Sequence, residues 1–448
     1  MLRMGASLAS FGLGHGVVRY GARNAQGRPS RLRDVLVQSL VLSLVLGAAV
    51  GLALYALAPW LAGDVFSKPD LTRVIRWFAP GFALAAGLNV AAAATRISKR
   101  IQFAALSQEV AQPLANLLLV AVVFLLGWGL VGAVAAAVAS FGLALGLAIF
   151  FILRLFRSAF AAPEKPRSAA GQLLAFSVPA ALASVFASFL IMVDRLIVGH
   201  FRPASEVGVY QAASAASSLF PVILTAFGAI VGPMIADLHH AGETERLREV
   251  YRVSTKWAIY ASLPLFFVIL FGGGELMEVV FGEGYIAGGL ILGILSVGQL
   301  INVGTGSVNI LFLMTGHQKR WLFMSTIGLL VDIALGVFLT EEYGIMGAAA
   351  ATAIAVGGLY VIAVIQGNRV LKMWPYDRRL MKGAAAGLVT CSGMALVRNA
   401  FAGPALITLV VMGILSVFLF FTALLALGID REDREALIYV RERLKSFS

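Results

Sequence analysis

Twelve apolar runs, each long enough to cross a bilayer, decide what this chain can fold into. They lie near 36–61, 74–97, 106–127, 129–154, 172–199, 208–236, 253–272, 286–314, 321–339, 345–367, 380–399 and 403–428. A hydrocarbon core about 30 Å thick takes roughly 20 apolar residues of helix, and a helix pairs its own backbone polar groups where no water can. A thirteenth, shorter run over 4–20 is interrupted by Gly12, Gly14 and Gly16. The longest polar connections, 21–35, 155–171 and 237–252, are too short to be domains. An all-α integral membrane protein is expected, without a large extramembrane catalytic domain. Of the 448 residues 60% are apolar and 13% charged, whereas a soluble domain is about half apolar and a quarter charged. Cys391, the only cysteine, lies inside an apolar run, which excludes a disulfide scaffold.

The net charge of +12 resolves by position. Alternate connections and the tail carry 27 of the 35 basic residues, among them Arg28, Arg31, Arg33, Arg96, Lys99, Arg100, Arg246, Arg248, Lys319, Arg320, Arg378, Arg379 and Arg441. The opposite connections hold only Lys68, Arg73, Arg76, Arg202 and Arg398, with acids such as Glu275 and Glu341. Basic loops stay on the cytoplasmic side, so a multi-pass protein with a cytoplasmic C-terminus is expected. The charge then requires no nucleic acid partner, and anionic membrane lipids suffice to face the basic loops.

An internal repeat is legible at an offset of 215. Gly27-Arg28-Pro29-Ser30-Arg31-Leu32-Arg33-Asp34-Val35 reads like Gly242-Glu243-Thr244-Glu245-Arg246-Leu247-Arg248-Glu249-Val250, and Gly129-Leu130-Val131-Gly132-Ala133 like Gly344-Ile345-Met346-Gly347-Ala348. The spans 36–61, 74–97, 106–127 and 129–154 map close to spans of the second half. Duplicated halves are common in transporters. Two six-helix bundles followed by two C-terminal helices are therefore expected. Position 1 corresponds to position 216, so 172–215 has no counterpart, and a first helix is expected to be missing from the first bundle. The expected organisation is an N-terminal bundle of five spans over 1–155, a cytoplasmic linker over 156–171, a six-span C-terminal bundle over 172–368, two further helices over 369–428 and a charged cytoplasmic tail over 429–448.

Gly12-Leu13-Gly14-His15-Gly16-Val17-Val18-Arg19-Tyr20 resembles the second helix of bacterial polysaccharide (O-antigen-type) flippases. Asp194-Arg195-Leu196-Ile197-Val198-Gly199, followed by Glu206-Val207-Gly208-Val209-Tyr210-Gln211-Ala212, resembles the start of their second repeat. These proteins share a superfamily with multidrug and toxic-compound exporters and the lipid II flippase. The resemblance implies two bundles working by alternating access in the bacterial cytoplasmic (inner) membrane. The implied function is translocation of a polyprenyl-pyrophosphate-linked oligosaccharide for polysaccharide biosynthesis, with glycosyltransferases and a polysaccharide polymerase as partners. The alternatives are a cation-coupled multidrug exporter of the same superfamily, or a polysaccharide polymerase or ligase, which normally needs a longer outer loop than any here.

No enzyme constellation occurs: there is no Gly-x-x-x-x-Gly-Lys-Ser/Thr loop, no Gly-x-Ser-x-Gly elbow and no metal spacing among the five histidines. No catalytic residue, cofactor or metal is expected. The informative residues are the ionisable ones within spans, each costing about 2.5–3.5 kcal/mol at a helix centre. Asp332 is mid-span and Asp194 lies in the outer half of its span, and both are candidates for coupling or gating. Arg195, next to Asp194, points about 100° away and is expected to snorkel to the interface. Arg19 and Arg23, four apart on one helical face, suit a pyrophosphate headgroup, which guanidinium groups bind bidentately. Arg96 and Lys256, at span ends, are further candidates for phosphate. Gln108, Gln112 and Asn116 form one polar stripe, and Gln299, Asn302 and Asn309 a second. Of these, Gln112, Asn116, Asn302 and Asn309 are candidates for sugar hydroxyls, with helix–helix hydrogen bonding as the competing use. Gly47 and Gly51 suit close helix packing, and Pro179, Pro221, Pro233 and Pro264 are expected to kink their helices.

Overall fold

The computed structural model describes residues 13–25, 29–98, 100–161, 171, 192–400, 403–428, 430 and 432–434. They are helical almost throughout, in two compact units, Met1–Ile191 and Met192–Ser448. Nine of the described helices are long and apolar enough to cross a membrane, or ten when one bent pair counts as a single span.

In the first unit α1 is Leu13–Ala25, α2 Pro29–Trp60, α3 Leu71–Thr95, α4 runs over 101–125 and α5 is Gly129–Leu155. Pro29 opens α2, where its missing N–H costs nothing. Just past Pro59 the helix widens into the π-helical turn Leu61–Val65. The centre of the unit is α3, whose inward residues are mostly small: Ala85, Ala86, Ala91, Ala92 and Ala94 are all buried. Small side chains let α1, α2 and α5 approach it, and Leu13, Val17, Leu36, Phe82, Leu88, Phe141 and Leu145 fill the remaining space. Gly47 and Gly51 of α2 press on α3, as their spacing suggests: a Cβ at Gly47 would stand 2.7 Å from Ala83 Cα. Leu117, Leu118, Phe124 and Leu125 of α4 point outward, an apolar face suited to lipid. α4 is not a uniform helix, because a π-helical segment, Leu106–Ala111, interrupts it.

In the second unit α6 spans 192–201, α7 is Ala204–Ser217, α8 Leu219–His240, α9 Thr244–Phe281, α10 Gly288–Gly304, α11 Val308–Met314, α12 Gln318–Leu371, α13 Arg379–Ala400 and α14 Ala405–Ala426. The run 208–236, read as one span, is divided between α7 and α8 at Ser218. Pro221 has no N–H to offer the Ser217 carbonyl four residues back, and the helix breaks there. Pro233 and Pro264 cause no such break, and the non-helical residue inside α9 is Gly272 instead. Pro179 lies outside the described residues. The run 286–314 is the bent pair α10 and α11, which meet at 42° across Thr305–Ser307 with Gly306 at φ +63°.

At 54 residues α12 would be about 80 Å long if straight, far more than a bilayer. It turns at Gly344, φ 64° and ψ −146°, a conformation open essentially to glycine alone. The chain folds back there, since Gly347 lies against the backbone of Leu339, eight residues earlier. The first unit has a matching turn 215 positions upstream: Gly129 has φ +62°, and a Cβ at Gly132 would stand 2.7 Å from Val123 of α4. Helix starts at Pro29 and Thr244 keep the same spacing. The last two helices dock on α9 through Tyr260, Ala386 and Phe420, and through Phe267, Met394 and Met412.

Candidate functional site

Three helices of the second unit, one of them through both its arms, bring together two carboxylates that the sequence separates by more than a hundred residues. Asp194 on α6 and Asp332 on the first arm of α12 are 7% and 5% exposed. Tyr210 of α7, fully buried, donates its hydroxyl to Asp194 Oδ2 at 2.9 Å. Thr352, on the second arm of α12, donates to Asp332 Oδ1 at 3.2 Å. The two hydroxyl oxygens are 3.4 Å apart; each hydroxyl has one proton, so the chain Asp194–Tyr210–Thr352–Asp332 closes when one carboxyl is protonated and donates to its own hydroxyl. Asp194 Oδ1 is buried without a hydrogen-bond partner among the described residues. Arg195, next in sequence, brings one positive charge beside Asp194; two buried carboxylates leave a second to be met by a proton or a bound cation, and a site that can exchange it can couple to an ion gradient. Arg195 does not snorkel as expected. It turns inward and donates to Ser214 Oγ at 2.7 Å, because α7 places a hydroxyl within its reach.

Tyr210 and Thr352 carry no signal as bridging residues in the sequence, since a hydroxyl in a span is cheap and common. Their role is testable separately from the acids. Tyr210→Phe keeps the ring in its pocket and removes the link, at a cost of about 2 kcal/mol. The expected outcome is a folded protein whose Asp194 and Asp332 titrate independently, as followed by infrared carboxyl bands.

The polar stripes are used unequally. Gln108 donates to Asn89 Oδ1 at 2.9 Å and Gln112 to Ser140 Oγ at 3.1 Å, tying α4 to α3 and α5. Gln112 is thereby engaged between helices, the competing use. Asn116 Oδ1 is buried without a partner among the described residues. Asn302 and Asn309 flank the break between α10 and α11. Asn302 donates to Gln299 at 3.2 Å, while Oδ1 of both asparagines lacks a partner among the described residues. Irregular backbone at membrane depth is tolerated where it is buried or lines a cavity.

Of the candidate phosphate ligands, Arg96 is exposed and opens the 3₁₀ turn Arg96–Ser98 at the end of α3. Arg19 and Arg23 fall on α1, and their side chains lie outside the described residues. Lys256 is not open at a cavity mouth, as its place at a span end suggested. It is 2% exposed, and Nζ is held by Glu432 at 2.9 Å, Asp433 at 2.8 Å and Asp430 at 3.4 Å. Those acids follow α14, more than 170 positions away, in the charged tail. Asp430 also accepts from Lys382 at 2.6 Å. Partial burial pushes the Asp430 carboxyl up, but Lys382 and Lys256 outweigh it and hold the group below its ordinary 3.8. A lowered carboxyl contributes stability above its unfolded value and loses it as pH falls through the folded one. The tail contact should therefore hold at pH 5 and open progressively below pH 3.8, read as protease access to the tail.

Among the described residues no group of three His, Cys, Asp or Glu side chains could hold a metal ion. A family model described as polysaccharide biosynthesis protein matches residues 5–287, more than half of the chain. The chain belongs to that family. It is 26% identical over 190 residues to a probable low-salt glycan biosynthesis flippase of Haloferax volcanii, covering 42% of this chain and 39% of the relative. It is 24% identical over 176 residues to a putative O-antigen transporter of Shigella flexneri, covering 39% of this chain and 41% of the relative. The match thus spans about two fifths of these curated relatives. In fold this family member is similar to the lipid II flippase MurJ, with TM-score 0.71 and 14% identity over 94% of this chain and 92% of that one. A multidrug resistance MATE family transporter of the MOP superfamily gives TM-score 0.68 and 18% identity over 82% of this chain and 88% of that one. The likeness is one of fold, and the protein is a multi-pass membrane member of the polysaccharide biosynthesis protein family.

Proposed function

We propose that the protein is a flippase that moves a polyprenyl-pyrophosphate-linked oligosaccharide across the cytoplasmic membrane by alternating access, without catalysing a covalent reaction. The observation that carries the reading is the match of residues 5–287 to the polysaccharide biosynthesis protein family; the buried Asp194–Tyr210–Thr352–Asp332 group offers the coupling site. Exchange of a proton or a sodium ion at this pair drives the cycle. The membrane potential adds about 2.3 kcal/mol per charge moved through 100 mV. Arg19, Arg23 and Arg96 meet the pyrophosphate, and Asn116, Asn302 and Asn309 meet sugar hydroxyls through carboxamide oxygens that have no partner among the described residues. The basic loops and the tail lie in the cytoplasm, where glycosyltransferases assemble the substrate; a polymerase consumes it outside.

The likeness in fold to a multidrug transporter favours one second reading, a cation-coupled drug exporter, which would rely on the buried acids and not on the arginines. Deleting the gene in its own host separates the two. A flippase leaves lipid-linked oligosaccharide accumulated inside and the surface polysaccharide missing, restored by the wild-type gene and not by Arg19→Glu. Normal surface polysaccharide in the deletion strain, with raised drug sensitivity, would overturn the flippase reading.

A further inference from the structure

The start of α13, the end of α14 and the fourth turn of α9 converge on a cradle of cations occupied by the chain's own tail. Lys256 of α9 and Arg379 and Lys382 of α13 surround the segment after α14. Lys256 holds three tail carboxylates, Arg379 meets Glu432 at 3.0 Å, Lys382 meets Asp430, and the Trp257 indole donates to Asp433 at 2.7 Å. Among the described residues the tail supplies every carboxylate partner of Lys256 and Lys382.

Two features suggest that this arrangement exchanges. First, three cations face five carboxylates, because Glu249 and Asp377 also engage Arg379. Like charges crowded about one ammonium repel, and a single phosphate, with several acceptor oxygens on one atom, satisfies the same donors without that crowding. Second, the cradle stands at headgroup depth. It lies where three spans end, beside Trp257, Tyr260 and the edge-on pair Trp374–Tyr376, aromatic residues of the kind that mark a membrane interface.

We infer that the cradle of Lys256, Arg379 and Lys382 is a phosphate site at the membrane surface, and that the acidic tail segment is its internal occupant. An anionic phospholipid displaces the tail by presenting its phosphate to the cradle. The same surface attracts the basic residues farther along the tail, Arg441, Arg443 and Lys445. The tail thus reports the charge of the surrounding bilayer.

The test places a spin label at exposed Arg434 (Arg434→Cys, in a Cys391→Ser background) in the full-length protein in nanodiscs. In phosphatidylcholine the label should be immobile. In phosphatidylglycerol the mobile fraction should rise at least threefold, and sodium chloride of matched ionic strength in phosphatidylcholine should not reproduce it. Soluble pyrophosphate added to phosphatidylcholine discs distinguishes the sources: release by pyrophosphate and not by phosphatidylglycerol would keep the phosphate site and assign it to a soluble or substrate headgroup. A second variant, Asp430→Asn/Glu432→Gln/Asp433→Asn, leaves the buried Lys256 ammonium without its carboxylates. Its Tm should fall in phosphatidylcholine and recover in phosphatidylglycerol. Equal label mobility under all phosphate conditions, release by salt alone, or a Tm of the triple variant indifferent to lipid would overturn the inference.

Discussion

Asp194→Asn and Asp332→Asn should each uncouple transport from the ion gradient while leaving the second unit folded. Asparagine keeps the size of the side chain and one acceptor oxygen, so the contacts to Tyr210 and Thr352 survive in part. The exchangeable charge is lost. One charge moving through 100 mV contributes about 2.3 kcal/mol, which corresponds to roughly 40-fold in accumulation at equilibrium. Either variant should lose that factor, measured in vesicles with a set potential and pH difference, and size-exclusion profiles should match the wild type. Accumulation unchanged in both variants would remove the acid pair from the coupling step.

Gly347→Ala should destabilise the second unit by about 3 kcal/mol. A Cβ there would stand 2.5 Å from the carbonyl carbon of Leu339 and closer still to its oxygen. Both are backbone atoms, so no rotamer relieves the clash. The turn at Gly344 cannot open to make room, because its positive φ already commits the two arms of α12 to close contact. Gly358→Ala is the internal control. That glycine is exposed on the same helix with nothing near its would-be Cβ, and alanine there should be neutral or slightly stabilising. Thermal unfolding of both variants in nanodiscs gives the comparison, and equal Tm values would contradict the packing described at the turn.

Most spans among the described residues were legible because length and hydropathy are set by the bilayer, while the expected run 172–199 lies mostly outside them. The segments at Gly129 and Gly344 were legible as a repeated motif between spans, but not as turns, because the positive φ of each glycine is a property of the folded backbone. The breaks at Ser218, Gly272 and Thr305–Ser307 were not, since a hydropathy window averages across a bend that keeps its apolar residues. Asp194 and Asp332 stood out because a charge in a span is costly. Their association did not, because it depends on how α6, α7 and both arms of α12 pack. The burial of Lys256 was hidden for a related reason. Its position at a span end suggested an open phosphate ligand, while the acids that hold it lie beyond α14 and become neighbours only once α13 and α14 fold back along α9.

The most direct measurement reconstitutes the purified protein into vesicles holding polyprenyl-pyrophosphate-linked oligosaccharide, imposes a pH or sodium gradient, and follows exposure of the glycan to a membrane-impermeant glycosidase. The expected result is gradient-dependent exposure of substrate in the wild type, absent in Asp194→Asn and in protein-free vesicles. Contradiction would be glycan that stays protected in wild-type vesicles while a lipophilic drug cation is transported down the same gradient.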